Sequence, residues 1–570
     1  MRKLKTLVLA TAAASCFAAT AAQAERGSDG NVNIAYWQAV SILNPFLSGG
    51  TKDVEASSLV LDPLANYRPD GSMDPALAAE IPTIENGGVA ADLRSITWKL
   101  KQGIVWSDGT PLKASDVVFS ANYCMHPEGG CNAASNFADV ESVEALDDYT
   151  VRVNFSVAKP FPYGPFVGAT SPVIQEAQFK DCMGAKAPEC TEANFGPIGT
   201  GPFVVDEFRA NDVVTFKANE NYRDPNQPAF ATAVLKGGGD SAATTRSVLE
   251  TGEFDYAWNV QVEPEVLDQM MAAGKGKIIA AFGTSVERLM VNLSNSKPEA
   301  GEARSTLEAG PHPFLGEHAV RKALSLAIDR EILVEVGYGP NGQVTCNVLP
   351  APAIYASTAN DACKTQDVDA ANALLDEAGW VRGSDGVREK DGVRLSILFQ
   401  TSTNSVRQGT QALIKQMWQA IGVETELRNI DAGVFFGGDQ SSNDTYQKFF
   451  ADIEMYTNNF DGTDPEAYMG NWVCSEIPSP ANQWIGNNMP RYCSEEYNAL
   501  SAEMGKTASI EKRAEMAKKM NDLLMQEYAM IPLIHRGRVS AASNALGNVV
   551  LNPWDSELAF AEEWTRNSST

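Results

Sequence analysis

Hydrophobic and polar positions along the chain follow strand-like patterns in some segments and helix-like patterns in others. Asn31–Tyr36 and Thr150–Phe155 alternate apolar with polar residues, so both are predicted to be strands. Residues 320–328 carry apolar side chains at helical spacing and are predicted to form an amphipathic helix. A predicted helix at 411–421 is followed by a predicted strand at 422–427. This succession is typical of βαβ units and implies an α/β protein with a partly parallel sheet.

Less regular patterns predict further elements in the first third of the chain. Residues 54–64 and 75–80 are predicted to be helices, and Ser115 or Asp116 is predicted to start another. With 570 residues the chain is too long for a single hydrophobic core. Two or three domains are therefore expected.

The N-terminus has the composition of a secretory signal. Three of the first five residues are basic, an apolar run covers 4–19, and Ala22-Gln23-Ala24 is a small-x-small cleavage site. We expect residues 1–24 to be removed, although Cys16 leaves open a lipid-anchored form at the cell surface. No later apolar run reaches the roughly 20 residues that a membrane span needs. The mature protein is therefore expected in the periplasm.

Net charge and missing motifs narrow the possible functions. The formal charge is −27, which argues against nucleic acid and anionic lipid surfaces as partners, because both bind basic patches. The sequence lacks serine-hydrolase, zinc-protease, phosphate-loop and dinucleotide-binding motifs. We predict no catalytic residue, metal site or cofactor. Since carboxylates are numerous, a secreted carboxylate-based hydrolase stays open as a remote alternative.

The cysteines that follow the signal form four local pairs. Export to an oxidising compartment makes disulfides the expected state. Pairing each cysteine with its neighbour in the sequence closes only short loops. A zinc site is the competing interpretation, but the sequence has no Cys-x2-Cys spacing and few histidines. The predicted disulfides are Cys124–Cys131, Cys182–Cys190, Cys346–Cys363 and Cys474–Cys493.

Residues 455–474 hold a dense group of side chains suited to ligand binding. Gly462 and Pro465 interrupt regular structure, so this part is predicted to be a loop. Carboxylates, amides and flat rings together suit a small polar ligand with a positive charge; a solvated surface loop is the competing interpretation. The side chains are those of Asp461, Asp464, Asn458, Asn459, Asn471, Tyr456, Tyr468 and Trp472.

Several short motifs, taken in order along the chain, resemble those of one protein family. They include Trp106-Ser107-Asp108-Gly109-Thr110-Pro111, Pro197-Ile198-Gly199-Thr200-Gly201-Pro202 and the segment 320–330. The series resembles the oligopeptide- and dipeptide-binding proteins of bacterial ABC importers, the family 5 extracellular solute-binding proteins. The resemblance spans roughly residues 31–550. Each motif alone is weak, and their common order makes the resemblance specific.

This resemblance implies a periplasmic-binding-protein fold, in which two α/β lobes are joined by a hinge and an extra domain is inserted in the first lobe. The hinge is expected to cross near residues 285–292 and 530–535. The expected domains are 25–66, 195–283 and 530–570 for the first lobe, 67–194 for the inserted domain, and 284–529 for the second lobe.

The resemblance also implies a function without catalysis. Such a protein captures short peptides between its closing lobes and, as a monomer, delivers them to a membrane permease and its ATPase. By motif position, Asp461 is expected to bind the peptide ammonium group and Arg407 its carboxylate. The loop looks longer than in relatives, so Asn458 or Asn459 is the alternative to Asp461.

Other aromatic and amide side chains are weaker candidates. Trp258, Tyr468 and Trp472 are expected to form pocket walls, with a place in the hydrophobic core as the alternative. Trp37 and Asn44 lie in the loop after the first strand and are weaker still. The ligand class stays open between peptides, oligosaccharides, opines and other polar solutes, since the family includes binders of each.

Overall fold

The computed structural model describes residues 25–460 and 462–567. The predicted signal at 1–24, with Cys16, lies outside the described residues, and so does Asp461. Within the described ranges, no helix is both long and apolar enough to cross a membrane.

A seven-stranded mixed sheet contains the first strand of the chain, which is confirmed at Asn31–Tyr36. This strand pairs in parallel with Thr232–Gly237 and Tyr256–Ala257, and the remaining pairs are antiparallel. Tyr36 and Trp258 are buried in the core that packs on this sheet. In spatial order the strands are Gly276–Ala281, Arg538–Ser543, Tyr256–Ala257, Asn31–Tyr36, Thr232–Gly237, Val213–Ala218 and Phe203–Arg209.

A six-stranded sheet is built from the second half of the chain. Ser396–Ser402 pairs in parallel with Glu424–Ile430, and the helix Ser405–Ala420 connects them, so the predicted βαβ unit is confirmed. Ile414 and Trp418 of this helix are buried in the core. In spatial order the strands are Gly342–Val344, Met530–Arg536, Val286–Val291, Ile453–Asn458, Ser396–Ser402 and Glu424–Ile430.

Two short connections join these sheets, which form the centres of two lobes. One runs from Gly276–Ala281 to Val286–Val291, and the other is Gly537 alone. The strand Met530–Arg536 pairs with Val286–Val291 in the six-stranded sheet. The domain bounds stay a prediction, and we propose that the first lobe resumes at Gly537 instead of residue 530.

A third sheet has three antiparallel strands, Ser95–Lys99, Thr150–Phe155 and Val140–Asp147. Trp98 and Trp106 are buried in its core, which continues into the first lobe through Phe46 and Leu64. Smaller sheets pair Ala65–Tyr67 with Met73–Pro75, Leu546–Gly547 with Thr565–Arg566, and Val381–Arg382, Arg388–Lys390 and Val393–Arg394 with one another. The α-helices are Thr51–Ser57, Ala114–Cys124, Glu176–Phe179, Thr191–Phe195, Ser241–Leu249, Pro264–Met271, His318–Leu326, Arg330–Gly337, Val368–Glu377, Ser405–Ala420, Ala432–Phe435, Glu466–Gly470, Glu495–Met504 and Ile510–Gln526.

All four predicted disulfides are confirmed. They join Cys124 to Cys131, Cys182 to Cys190, Cys346 to Cys363, and Cys474 to Cys493. Each joins two cysteines fewer than 20 positions apart, and the loop-entropy model associates loops of this size with roughly 3 kcal/mol of stabilisation.

The helix predicted at 75–80 is wrong. There the Ala76 amide donates to the Leu64 carbonyl at 3.0 Å, and the Ala79 amide donates to the Lys99 carbonyl at 2.7 Å. These bonds to distant segments replace the bonds four residues back that a helix needs. A pattern of nearby apolar residues does not report such long-range pairing.

The helix predicted at 54–64 is shorter and begins earlier, at Thr51–Ser57. The Val60 carbonyl accepts a hydrogen bond from the Gly201 amide at 2.8 Å. The chain after Ser57 is therefore bound to the loop that leads into the strand Phe203–Arg209.

Candidate functional site

A cleft between the lobes consists of two connected chambers. The larger, which we call the acidic chamber, contains ≈ 1270 Å³ of empty space, counting space open to solvent. The smaller, which we call the arginine chamber, contains ≈ 770 Å³ on the same measure. The acidic chamber is lined by residues that include Lys159, Tyr163, Phe460, Asp464, Glu466 and Tyr468. The arginine chamber is lined by residues that include Gln38, Trp258, Ser285, Arg407, Tyr446 and Arg536. Both are lined by Gly49, Thr51, Glu55, Asn458, Asn459, Asn487 and Arg538.

The carboxylates of Asp464 and Glu466 in the acidic chamber already have cationic partners. Arg513 Nη2 donates to both Asp464 oxygens, at 2.5 and 2.6 Å, and to Glu466 Oε2 at 3.1 Å. Lys159 Nζ pairs with Glu466 and lies 3.3 Å from Asp139. Burial raises the pKa of Asp464, and the nearby Arg513 opposes that rise. These two carboxylates are therefore occupied in holding the chamber wall together.

Aromatic rings form another wall of the acidic chamber. Phe460 stacks on Tyr468 with ring centroids 4.7 Å apart. The Tyr468 hydroxyl accepts from Arg288 Nη1 at 2.7 Å and donates to the Val348 carbonyl at 3.1 Å. Trp472 packs edge-on against Tyr468 and is buried behind it. Tyr468 therefore lines the acidic chamber, whereas Trp472 packs behind it in the hydrophobic core.

The loop after Asn458 is anchored on both sides of Asp461, a residue outside the described chain. The Phe460 amide donates to Thr284 Oγ1 at 3.1 Å. The Gly462 amide donates to the Trp554 carbonyl at 2.6 Å. Asn458 and Asn459, the alternatives to Asp461, line both chambers.

Arg407 lies on the wall of the arginine chamber, where Glu287 holds its guanidinium group. Nε and Nη2 donate to the two Glu287 oxygens at 2.8 and 3.2 Å, and Nη1 donates to Ser402 Oγ at 2.7 Å. Burial alone would raise the pKa of Glu287, but Arg407 lowers it below its ordinary value. Binding of a ligand carboxylate by Arg407, as the resemblance implies, would compete with this ion pair.

Of the remaining predicted site residues, Trp258 lines the cleft, whereas Trp37 and Asn44 do not. Trp258 lines the arginine chamber and stacks on Tyr36 at 4.6 Å. Trp37 is buried, and its Nε1 donates to the Asn259 carbonyl at 2.9 Å. Asn44 is buried away from both chambers, where its amide nitrogen donates to Asn194 Oδ1 at 2.9 Å. The structure therefore brings Trp258 to the site and leaves Trp37 and Asn44 in structural contacts.

One edge of the strand Ile453–Asn458 is open where it enters the cleft. Its parallel pairing with Ser396–Ser402 ends at Met455, while its antiparallel pairing with Val286–Val291 continues to Asn458. Tyr456, Thr457 and Asn458 line the arginine chamber. Their backbone groups on the open side lack a strand partner within the described chain.

The lobes touch at two glycines of the first lobe. A Cβ atom on Gly49 would lie 2.0 Å from the Tyr446 hydroxyl oxygen, and one on Gly50 would lie 2.9 Å from the Phe436 carbonyl oxygen. Real side chains do not approach this closely, so the cleft is closed over the chambers at this point.

The order of motifs, the two sheets and the closed cleft agree with a family match that covers most of the chain. The family model for bacterial extracellular solute-binding proteins, family 5 (middle part), matches residues 72–479. The chain belongs to this family.

Individual relatives of this family 5 protein are distant. It is 28% identical over 427 residues to protein XP55 of Streptomyces lividans, covering 74% of this chain and 71% of XP55. It is 23% identical over 495 residues to the glutathione-binding protein GsiB of Escherichia coli strain K12, covering 85% of each. The oligopeptide-binding protein AppA of Bacillus subtilis, solved with a nonapeptide, matches with a TM-score of 0.81 at 19% identity, covering 96% of this chain and 100% of AppA. The likeness to AppA confirms the predicted two-lobed α/β fold.

Several residues of the cleft in this family 5 protein were not predicted. Tyr163 and Lys159 belong to the run Lys159-Pro-Phe-Pro-Tyr-Gly-Pro165, whose prolines and aromatic rings were an available signal. Arg536 and Arg538 flank Gly537, the connection between the sheets. Two arginines around a glycine after a buried strand were a second signal.

Proposed function

We propose that this family 5 protein captures short peptides between its lobes and delivers them to an ABC importer. The observation that carries the proposal is the open edge of the strand Ile453–Asn458 inside an enclosed cleft. An extended peptide can pair with such an edge through its own backbone groups. Main-chain pairing gives affinity for peptides without demanding a particular sequence.

Charged ends of a peptide need buried partners of opposite sign. We propose that Asp461 binds the ammonium group, with Asn458 and Asn459 contributing amide oxygens. Support comes from the lining of the acidic chamber, where Asp464 and Glu466 are occupied by Arg513 and are not available for this role. Charge-assisted hydrogen bonds are strong in a site from which water is excluded.

Export and delivery complete the proposal. The family consists of extracellular solute-binding proteins, and the predicted signal at 1–24 is of the kind that directs a chain to the periplasm. We infer that the protein acts there as a monomer, by binding alone, and that a membrane permease with its ATPase receives the ligand. Closure of the lobes follows ligand binding as a population shift.

A ligand screen tests the proposal. Purified mature protein is heated with defined di- to pentapeptides, opines and neutral oligosaccharides, each in a separate sample. A ligand at 100 times its dissociation constant adds about 2.7 kcal/mol of stability, which raises the melting temperature. Peptides are expected to give the largest shifts. If only oligosaccharides or opines raise the melting temperature, they and not peptides are the ligand class. Turnover of chromogenic glycosides or peptides would support the hydrolase alternative.

A further inference from the structure

Arg536 differs from the other cations that line the cleft. It is almost fully buried at 3% exposure and lies at the end of the strand Met530–Arg536, next to the connection between lobes. Its Nη2 donates to Asn259 Oδ1 at 2.7 Å, whereas its contacts with Thr457 Oγ1 and the Gly537 carbonyl are long, at 3.4 Å each. In residues 25–460 and 462–567, no carboxylate oxygen lies within 4.0 Å of its guanidinium group.

The nearby acids are occupied by other groups. Glu287 binds Arg407 and the Thr457 hydroxyl. Glu557 accepts from the Ser540 and Tyr256 hydroxyls. Burial lowers the pKa of Arg536, and the charge of Glu287 only partly offsets this effect. A buried guanidinium without a carboxylate in contact is costly unless another anion reaches it.

Further hydrogen-bond donors face the same chamber. Gln38, Trp258 and Ser285 line it and are each at most 5% exposed. In the described part of the protein, none of these three side chains makes a hydrogen bond to another group. An indole N–H can only donate, while a hydroxyl and an amide can donate or accept. The unused capacity of the chamber therefore favours an acceptor such as a carboxylate.

We propose that the arginine chamber binds the anionic end of the transported solute, a carboxylate held by Arg536. Gln38, Ser285 and Trp258 donate further hydrogen bonds to it. This inference rests on the proposed function in placing the solute between the lobes, and it adds the chemical group that the solute presents there. The resemblance assigns the binding of the ligand carboxylate to Arg407. The inference assigns it to Arg536 instead, which no carboxylate of the described chain contacts.

Binding of peptides with and without a terminal carboxylate tests the inference. The probes are di- to pentapeptides as free acids and as C-terminal amides, measured by isothermal titration calorimetry with the full mature protein. The wild type is expected to prefer the free acids by about 30-fold or more. In Arg536→Gln this preference collapses, because the free acids lose affinity while the amides change by less than about threefold.

Control variants distinguish the effect of losing the Arg536 charge from an effect of impaired folding. Arg428→Gln removes the same charge from an exposed pair with Asp444 outside the chambers, and it is expected to keep the preference. Arg536→Lys keeps the charge and is expected to retain a preference of about tenfold. If Arg536→Gln does not fold, Ser285→Ala and Trp258→Phe decide, with an expected loss of about threefold to tenfold for the free acids only.

The outcomes distinguish this inference from the proposed function. If peptides bind but acids and amides bind equally, or if Arg536→Gln keeps the preference, the inference is overturned and peptide capture stands. If no peptide binds, the same variants are measured with opines and sugar acids against neutral oligosaccharides. Carboxylate binding that depends on Arg536 then upholds the inference without peptides. Binding of neutral oligosaccharides alone overturns both.

Discussion

The acidic chamber and the arginine chamber share part of their lining but differ in how their charges are compensated. In the acidic chamber, Asp464 and Glu466 have cationic partners from the protein itself, in Arg513 and Lys159. In the arginine chamber, Arg407 is paired with Glu287, while no carboxylate of the described chain contacts Arg536. A charged residue in a cleft is therefore not by itself a ligand group. The informative residue is the buried charge whose partner the described protein does not supply.

The largest effect is expected from breaking the compensation in the acidic chamber. Arg513→Met leaves Asp464 and Glu466 buried without Arg513, so the free energy of unfolding should fall by about 3–5 kcal/mol. Urea unfolding followed by tryptophan fluorescence measures this. Burial raises the pKa of Asp464, and Arg513 opposes that rise in the wild type. The loss should therefore shrink at acidic pH, where Asp464 of the variant becomes protonated and no longer needs a cationic partner.

The control for Arg513→Met is Arg428→Met. Arg428 pairs with Asp444 on the surface, with both side chains about two-fifths exposed. Removing it is expected to cost no more than about 1 kcal/mol. Equal losses in the two variants would mean that the acidic chamber does not depend on its buried ion pairs.

The next largest effect is expected on ligand binding. Asp461→Ala is expected to weaken peptide binding by about 2–5 kcal/mol, since a buried ammonium group would lose its partner. Isothermal titration calorimetry measures the loss, with Asp444→Ala as a surface control. Unchanged affinity in Asp461→Ala would refute its role and turn attention to Asn458 and Asn459.

A smaller effect is expected where the lobes meet over the chambers. Gly50→Ala places a methyl group against the Phe436 carbonyl, so it should penalise the closed form by about 1–2 kcal/mol. Affinity should fall by about tenfold, while the melting temperature of the ligand-free protein changes little. Gly409→Ala is the control, because a Cβ there meets nothing within 4 Å. If Gly50→Ala binds as tightly as the wild type, the contact does not limit closure.

The smallest effect on binding is expected from Asn44, which lies outside both chambers. Asn44→Ala removes bonds to Asn194 and the Phe46 amide, so it should cost about 1–2 kcal/mol of stability. Its affinity for peptides should match the wild type in the same titration. A selective loss of affinity would place Asn44 in the ligand site after all.

The local pattern of apolar and polar residues predicted helices with local hydrogen bonds and strands whose residues alternate between apolar and polar. Asn31–Tyr36 and Thr150–Phe155 are strands with the predicted bounds. The structure of the segment 75–80 could not be predicted from its local pattern, because its amides donate to the distant Leu64 and Lys99 carbonyls. The cysteine pairs were predictable because the two cysteines of each pair are fewer than 20 positions apart.

The candidate site was predictable only where its residues cluster in sequence. Residues 455–474 stood out by composition, and Asn458, Asn459 and Tyr468 do line the cleft. Arg407 forms its ion pair with Glu287, which is 120 residues away in the sequence. The sequence alone therefore could not show that the charge of Arg407 is already neutralised. For the same reason nothing marked Arg536 as a cation without a carboxylate.

Identification of the ligand that the protein carries decides whether the cleft holds a short peptide. Native mass spectrometry of freshly purified mature protein, followed by denaturing release, gives the mass of the bound solute. We predict a short peptide with a free amino end and a free carboxylate, and a lower occupancy in Asp461→Ala and Arg536→Gln. Recovery of a neutral oligosaccharide, with equal occupancy in both variants, would contradict it.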